Sequence, residues 1–338
     1  MIVEMKTGAT LRQIEDVVQR AKSLGFSVQL NVGTDKTVIA ILGSNTGQIS
    51  TDLFAVLPGV EGVTRIMKPY KLASREFKPK DTIVKVGDIE IGRERIVIMA
   101  GPCAVENKKQ LEEATRIVQS AGAAVLRGGA FKPRTSPFSF QGLEQTGLEL
   151  LAEMKQKYKI PVVTEVVDPH EVELVARYAD IIQVGARNMQ NFALLTELGH
   201  IKHPVLLKRG FSNTVTEWLT AADYLLAGGN SHVILCERGI RTFEETTRFS
   251  LDIGSIPVVK KFSHLPVIVD PSHAAGHYSL VPAIAKAAVA AGADGLLIEV
   301  HPKPKEALVD GLQSLTPSDF SRLMKELKAI AQAIGRYI

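Results

Sequence analysis

The chain has 338 residues, of which 45% are hydrophobic and 22% are charged, so it is long enough for two globular domains. Its formal net charge of +4 is small and its basic residues are spread along the chain, which argues against a nucleic-acid-binding protein. Two cysteines argue against a disulfide framework and fit a reducing compartment. Since no signal peptide and no long apolar segment is visible, we expect a cytoplasmic protein without membrane contact.

The first 70 residues predict a small α/β domain with its own core. The predicted elements are a strand at 1–5, a helix at 11–25, a hairpin at 26–42, a helix at 51–57 and a strand at 60–68. The first helix follows from apolar residues at helical spacing and ends at Gly25. The hairpin follows from two apolar runs around the turn Gly33-Thr34-Asp35. The order βαββαβ is the ferredoxin-like arrangement.

Residues 71–95 predict a connector with a short hairpin at 82–92, and residues 96–338 predict a (β/α)8 TIM barrel. Eight apolar runs alternate with amphipathic helices, at 96–101, 123–129, 161–167, 180–186, 204–210, 232–239, 266–273 and 294–301. Near-continuous apolar strands are covered on both faces, as in parallel barrels. An open doubly wound sheet is the alternative, but no GxGxxG turn follows a strand here.

Catalytic groups of such barrels come from the carboxyl ends of the strands. One group there combines a thiol, an imidazole and two carboxylates, namely Cys103, His273, Glu299 and Asp310. They follow strands 1, 7 and 8, which become neighbours when the barrel closes. Taken singly, such a Cys is usually an apolar filler and such a His a hydrogen-bonded loop residue. Together they predict a divalent metal site for Mn, Fe, Co or Zn.

A second group at the strand ends is cationic. Its members are Arg127, Lys132, Arg134, Arg187, Lys208 and Arg238. Because side chains alternate between the two faces of a strand, Arg127 and Lys208 lie on the same faces as the apolar residues two positions away. A cation on such a face needs an anionic partner. Buried carboxylates such as Glu165 are one possible partner, but the cations outnumber them. We therefore predict phosphorylated substrates held by Arg forks, and we expect Arg209 and Arg241 to point outward into solvent.

The motifs at these strand ends resemble those of the 3-deoxy-D-arabino-heptulosonate 7-phosphate (DAHP) synthases. The shared motifs are Gly-Pro-Cys at 101–103, Leu-Arg-Gly-Gly-Ala at 126–130, Lys-Pro-Arg-Thr-Ser at 132–136, Gly-Ala-Arg-Asn at 185–188, Leu-Lys-Arg-Gly at 207–210, Cys-Glu-Arg-Gly at 236–239, Asp-Pro-Ser-His at 270–273 and Glu-Val-His at 299–301. The similarity covers the whole barrel in order. It is to the subgroup related to the 3-deoxy-octulosonate 8-phosphate synthases. Residues 1–70 resemble a regulatory domain of some members, where an aromatic amino acid binds and inhibits.

The resemblance implies a transferase of the shikimate pathway that condenses phosphoenolpyruvate with erythrose 4-phosphate. It implies that Cys103, His273, Glu299 and Asp310 hold the metal, and that Lys132, Cys103 and His273 are catalytic. Phosphoenolpyruvate would be bound by Arg127, Lys132, Arg187, Lys208 and Arg238. The aldose phosphate would be bound by Arg134, Thr135 and Asp310. Lys132 would act as general acid, with a metal-bound water as the alternative.

Three alternatives stay open at this point. The first is a 3-deoxy-octulosonate 8-phosphate synthase that uses arabinose 5-phosphate. The sequence Lys132-Pro133-Arg134 favours the four-carbon aldose, because the octulosonate enzymes that it resembles have Asn after Lys-Ala. The second is a non-catalytic, amino-acid-sensing barrel, which the intact set of metal and cationic positions disfavours. The third concerns residues 1–70, which could serve oligomerisation instead of feedback. The strands predicted in residues 1–70 disfavour a fused chorismate mutase domain, which is all-helical. The resemblance also suggests a homotetramer.

Overall fold

The protein divides into two compact units in its computed structural model, which describes residues 1–33, 36–65, 68–133 and 136–338. One unit comprises residues 1–81 with 262–264, and the other comprises residues 82–261 with 265–338. No helix within these described ranges has the length and apolar character needed to cross a membrane.

The first unit is the predicted ferredoxin-like domain. Its elements are β1 (Ile2–Met5), α1 (Leu11–Ser23), β2 (Ser27–Val32), β3 (Thr37–Leu42), α2 (Asp52–Ala55) and β4 (Val60–Thr64). The strands form one antiparallel sheet in the order β2-β3-β1-β4. The first strand therefore lies inside the sheet, as the βαββαβ connectivity requires.

Helix α1 shows how the sequence specifies this unit. Its N-cap is Thr10, which forms a capping box with Gln13, so two otherwise unpaired backbone N–H groups are satisfied. The helix ends at Ser23, and Gly25 follows with φ +81°, a conformation that glycine adopts without steric cost. Helix α2 is shorter than predicted, with four residues. The predicted turn residues Thr34 and Asp35 lie outside the described residues.

The second unit is an eight-stranded parallel barrel preceded by a hairpin. Its strands are the hairpin pair β5 (Val84–Val86) and β6 (Ile89–Ile91), followed by β7 (Val97–Gly101), β8 (Val125–Arg127), β9 (Val162–Val166), β10 (Ile181–Val184), β11 (Val205–Lys208), β12 (Val233–Glu237), β13 (Val267–Val269) and β14 (Gly295–Glu299). Its helices are α3 (Lys108–Ser120), α4 (Glu144–Tyr158), α5 (Val172–Tyr178), α6 (Phe192–His200), α7 (Val215–Ala227), α8 (Ser255–Phe262), α9 (Pro271–Ala275), α10 (Val281–Ala290) and α11 (Pro317–Ala333).

Strands β7 to β14 close into a barrel in sequence order, with β14 paired to β7. All eight predicted barrel strands are present and the predicted fold class is confirmed. Each strand is shorter than its apolar run, because the runs extend into the turns that enter and leave the barrel. Closure makes β7, β13 and β14 consecutive neighbours, so the groups that follow them can converge.

The hairpin of β5 and β6 fills the amino-terminal end of the barrel. Its apolar side chains form one buried cluster with residues that mostly begin the barrel strands, namely Val84, Val86, Ile89 and Ile91 with Val97, Met99, Val125, Val163, Ile181, Leu206, Ile234, Cys236, Ile268 and Leu297. Burying each such side chain stabilises the fold by about 1.5–3 kcal/mol. The hairpin thus closes one end of the barrel with an apolar core, which leaves the carboxyl ends of the strands for polar side chains.

Candidate active site

A cavity of about 500 Å³ opens at the carboxyl ends of the barrel strands. Its charged lining consists of Lys132, Arg187, Lys208, Arg238, Arg241 and Arg248, with Glu165 and Asp310 as the carboxylates. The rings of Phe211 and Phe249 and the imidazole of His273 complete much of the wall. Six cations against two carboxylates give the cavity wall an excess of positive charge.

At one side of this cavity the structure brings together the four side chains predicted as metal ligands. One ligand atom from each of Cys103, His273, Glu299 and Asp310 lies within 4.8 Å of all the others. His273 Nε2 is 3.5 Å from Glu299 Oε1 and 3.9 Å from Asp310 Oδ2. Cys103 Sγ is 3.4 Å from Asp310 Oδ2. The close approach of β7 to β8 behind Cys103 requires Gly101, where a Cβ would lie 2.1 Å from the Arg127 carbonyl oxygen.

These separations suit a metal ion. Bonds of about 2.0–2.3 Å in a tetrahedral arrangement place neighbouring ligand atoms roughly 3.3–3.8 Å apart. Burial, with the negative charge of Glu299 added, raises the pKa of the Cys103 thiol to about 12. A divalent cation at this point would stabilise the thiolate and offset the repulsion between the two carboxylates. The donor set therefore fits a borderline transition metal.

His273 is oriented for this role by Asp270, at the start of α9. Asp270 accepts a hydrogen bond from His273 Nδ1 at 2.7 Å and from Lys208 Nζ at 2.5 Å. Burial alone would raise the pKa of Asp270, but His273 and Lys208 hold it well below its ordinary value. Burial lowers the pKa of His273, which favours a neutral ring. The ring then presents the Nε2 lone pair to the cluster, as in carboxylate–histidine–metal arrangements.

Lys132 lies between the metal cluster and the cavity. Its Nζ is 3.1 Å from Cys103 Sγ and 3.2 Å from the Cys103 carbonyl oxygen. Burial alone would lower the pKa of Lys132, but the nearby Cys103 and Glu165 raise it. Lys132 is therefore protonated at neutral pH and can donate a proton into the cavity.

Arg238 and Arg187 are the cations most available to a ligand. Arg238 is only 3% exposed and donates from Nη1 to the Gly239 carbonyl oxygen at 3.2 Å, and within the described ranges no ion pair of it with a carboxylate is found. Burial lowers the pKa of Arg238 to about 10. Its guanidinium instead lies 3.8 Å from the centre of the Phe249 ring, and that of Arg187 lies 5.4 Å from the Phe211 ring. A buried cation without a directly paired carboxylate is costly, so the site favours an anionic ligand.

Arg127 occupies a different place from the other predicted cations. It is buried below the cavity wall, where Nη1 donates to Glu299 Oε1 at 2.8 Å and to the Pro102 carbonyl oxygen at 3.0 Å. With His273, it lowers the pKa of Glu299 to about 2 against the opposing effect of burial. In this structure Arg127 therefore contacts the candidate metal cluster.

The prediction that Arg209 points into solvent was wrong. Arg209 is 4% exposed, and its Nη1 pairs with Glu237 at 2.8 Å and Asp252 at 3.0 Å. The side chain does point out of the barrel. Outward from a barrel strand, however, is toward the helix layer and not toward water. Arg241 is exposed as predicted, but it lines the cavity. The predicted aldose-phosphate residues Arg134 and Thr135 lie outside the described residues.

Sequence reasoning gave no role to Asp270, Arg248 and Gln313. Asp270 had a usable signal, because Asp-Pro-Ser-His is a helix N-cap pattern in which the first residue faces the fourth. Arg248 lies in the long connection between β12 and α8, away from any strand end. Gln313 is a neutral residue after the strand β14. Position along the chain did not distinguish either of them from ordinary loop residues.

Comparisons with known proteins agree with this arrangement. The DAHP synthetase I family profile matches residues 71–334, and the DAHP synthase ferredoxin-like domain profile matches residues 1–68. The chain is 50% identical over 335 residues to the phospho-2-dehydro-3-deoxyheptonate aldolase of Thermotoga maritima, covering 99% of both chains. It is 32% identical over 266 residues to the 2-dehydro-3-deoxyphosphooctonate aldolase of Geobacter sulfurreducens, covering 73% of this chain and 97% of the relative.

Two solved structures are also similar. A crystal structure of the Thermotoga maritima phospho-2-dehydro-3-deoxyheptonate aldolase (DAHP synthase) has a TM-score of 0.80 and 49% identity, covering 99% of this chain and 98% of that one. A truncated form of the 3-deoxy-D-arabino-heptulosonate 7-phosphate synthase from the same organism has a TM-score of 0.75 and 48% identity, covering 80% of this chain and 99% of its own. The chain belongs to the DAHP synthetase I family.

Proposed function

We propose that this chain condenses phosphoenolpyruvate with erythrose 4-phosphate and one water to form DAHP and phosphate, the first step of the shikimate pathway. The observation that carries this proposal is the pairing of a strongly cationic cavity with a thiol, imidazole and carboxylate cluster at one end of the barrel. Similarity at 50% identity over 99% of a DAHP synthase supports the same reaction.

Phosphoenolpyruvate would occupy the cationic wall of the cavity. Arg187, Lys208 and Arg238 face this space, and each of the two guanidinium groups can donate a bidentate pair of hydrogen bonds to a phosphate or carboxylate. Arg127 and Lys132 would complete the binding set from the side of the metal cluster. Holding both reactants in one cavity removes much of the entropic barrier to carbon–carbon bond formation.

Cys103, His273, Glu299 and Asp310 would hold one divalent metal ion, which could be Mn, Fe, Co or Zn. When bound, the ion would supply Lewis-acid polarisation of the aldehyde carbonyl. Of the two catalytic residues among these ligands, His273 is kept in the required tautomer by Asp270. Cys103 is placed beside Lys132.

Lys132 would supply the proton for the aldehyde oxygen as it becomes a hydroxyl. C3 of phosphoenolpyruvate attacks the aldehyde carbon, water adds at C2, and phosphate leaves from C2. The aldehyde oxygen gains one proton in this sequence. The raised pKa of Lys132 keeps a proton on Nζ, at the border between the metal cluster and the cavity.

The aldose would bind through Arg134 and Thr135, with Asp310 close to its hydroxyl groups. The second candidate substrate is arabinose 5-phosphate, because several octulosonate relatives share 30–34% identity with this chain. The Lys132-Pro133-Arg134 sequence and the full-length similarity to a DAHP synthase favour the four-carbon aldose.

The test is an assay of phosphate release from phosphoenolpyruvate with each aldose in turn. We expect turnover with erythrose 4-phosphate and at least a hundredfold lower kcat/KM with arabinose 5-phosphate. The reverse ratio would assign the octulosonate reaction. Binding of an aromatic amino acid without turnover of either aldose would favour the sensing barrel.

We further propose that residues 1–70 form a regulatory domain that binds an aromatic amino acid, in a cytoplasmic homotetramer. The match of residues 1–68 to the DAHP synthase ferredoxin-like domain supports this division. The truncated form of the Thermotoga maritima DAHP synthase matches 80% of this chain over 99% of its own length. Deleting residues 1–70 should retain turnover and remove inhibition by tyrosine or phenylalanine. Inhibition that survives deletion would contradict the regulatory role, and sedimentation of both forms tests the tetramer.

A further inference from the structure

The two carboxylates of the candidate metal cluster share one supporting network. Gln313 Nε2 donates to Glu299 Oε2 at 2.7 Å. Arg248 Nη1 donates to Gln313 Oε1 at 2.7 Å and lies 3.3 Å from Asp310 Oδ1. One guanidinium nitrogen and one side-chain amide therefore connect Glu299 to Asp310, through the carboxylate oxygens that do not face His273.

The chemistry of these groups fixes the orientation of the amide. Arginine can only donate hydrogen bonds, so the amide oxygen of Gln313 must face Arg248. The amide nitrogen must then face Glu299, whose ionised carboxylate can only accept. Gln313 is 2% exposed, so neither half of the amide has a competing bulk-water partner.

The backbone around the network is restrained at both ends. Asp310 has φ +51°, a left-handed conformation that is unusual for a residue with a Cβ, and it begins a 3-10 turn, Gly311–Gln313. Arg248 lies against the end of α9, where a Cβ on Gly276 would be 2.4 Å from Arg248 Cβ. Helix α9 carries His273. Arg248 is thus placed by the same segment that places a third candidate ligand.

We infer that Gln313 and Arg248 are positioning residues that hold Glu299 and Asp310 at the separation that one metal ion requires. This inference rests on the proposed metal site. Two carboxylates without a cation repel each other, and the network opposes that repulsion while the site is empty. Removing partners that orient metal ligands typically weakens metal affinity by about 10–100-fold. Neither residue was assigned a role by the motifs of the sequence.

The experiment measures the Mn(II) and Zn(II) dissociation constants of the full chain by competition with a chromophoric chelator. Gln313→Leu and Arg248→Met should each weaken binding about 10–100-fold, and Arg248→Lys should restore part of the loss. The matched control is Arg241→Met, which removes a guanidinium from the same cavity wall and should leave metal affinity within twofold. Because Arg248 is 40% exposed, its variants test the idea even if Gln313→Leu fails to fold.

A second readout is the thiolate-to-metal absorption band of the Co(II)-loaded protein. In Gln313→Leu and Arg248→Met, the band should shift or weaken, whereas Arg241→Met should match the parent chain. Unchanged metal affinity and an unchanged band in folded Arg248→Met would overturn the inference. If the parent chain binds no metal at all, the proposed metal site itself fails, and that result is distinct from a failure of the variants alone.

Discussion

The two ends of the barrel carry opposite kinds of side chains on the same eight strands. At the amino-terminal end, four apolar side chains of the hairpin, Val84, Val86, Ile89 and Ile91, fill the interior in one dry cluster. At the carboxyl end, six cations and a thiol, imidazole and carboxylate cluster surround an open cavity. Both kinds of side chain lie on the inward face of the same strands, as Leu206 and Lys208, two residues apart, do on β11.

The difference shows that buried charge is concentrated at one end of this barrel. At the apolar end, the burial of apolar side-chain surface stabilises the fold. The charged end holds several buried ionic groups, including Arg127, Lys208 and Glu299, whose desolvation opposes folding unless each has a partner. Substitutions at the apolar end should therefore change stability, and substitutions at the charged end should change chemistry.

The largest effect is expected for Cys103→Ala, at the charged end. The variant removes the one sulfur donor of the candidate metal cluster, and metal assistance is worth several kcal/mol in the transition state. We expect kcat/KM for the condensation to fall by about 1000-fold or more. Steady-state phosphate release at saturating Mn(II) measures it. The thermal midpoint in chelator should change little, and a loss of less than tenfold would show that Cys103 is only a buried filler.

The next effect is expected for Ile91→Ala, at the apolar end. Ile91 is fully buried in the hairpin cluster, and truncations of this kind typically cost about 2–5 kcal/mol. Chemical denaturation should show this loss, while kcat at 25 °C stays within twofold of the parent chain. Ile91→Val is the control and should cost about 0.5–1.5 kcal/mol. If kcat instead falls with stability unchanged, the separation of the two ends is wrong.

The smallest effects are expected for two exposed cations, Arg187 in the cavity wall and Lys85 on the hairpin. Arg187→Gln removes an exposed cation from the cavity wall and should raise KM for phosphoenolpyruvate about tenfold, through loss of a charge-assisted hydrogen bond. Lys85→Gln removes a cation that is 71% exposed on the hairpin and pairs with Glu90 at 3.4 Å. It should change stability by less than about 0.5 kcal/mol and leave KM unchanged. Equal KM changes in both variants would mean that only net charge matters.

The fold was largely predictable from the sequence because its signals are periodic and local. The strands from Val97–Gly101 to Gly295–Glu299 were found as apolar runs, and the Thr10 to Gly25 segment carried its own start and stop signals. The position of the hairpin at the bottom of the barrel was not predictable. Its two short apolar strands show that it is buried, but not against which partner.

The candidate site was predictable only where a side chain follows a strand directly. Strand ends share one edge of the barrel, so the convergence of Cys103, His273 and Glu299 follows from topology. The hydrogen-bond network of Gln313 and Arg248 depends on loop conformations, including the left-handed backbone of Asp310. The periodic pattern of apolar residues in the sequence does not encode such conformations. The burial of Arg209 depends on the helix layer, which the strand pattern alone does not describe.

The most direct test of a metal-dependent condensation is a titration of activity against metal in the chelator-treated full chain. The condensation of phosphoenolpyruvate with erythrose 4-phosphate should be absent after metal removal. It should return linearly with added Mn(II) and reach a plateau at one ion per chain, as expected for the single four-residue cluster found in the described part of the chain. Full activity in excess chelator would contradict the account.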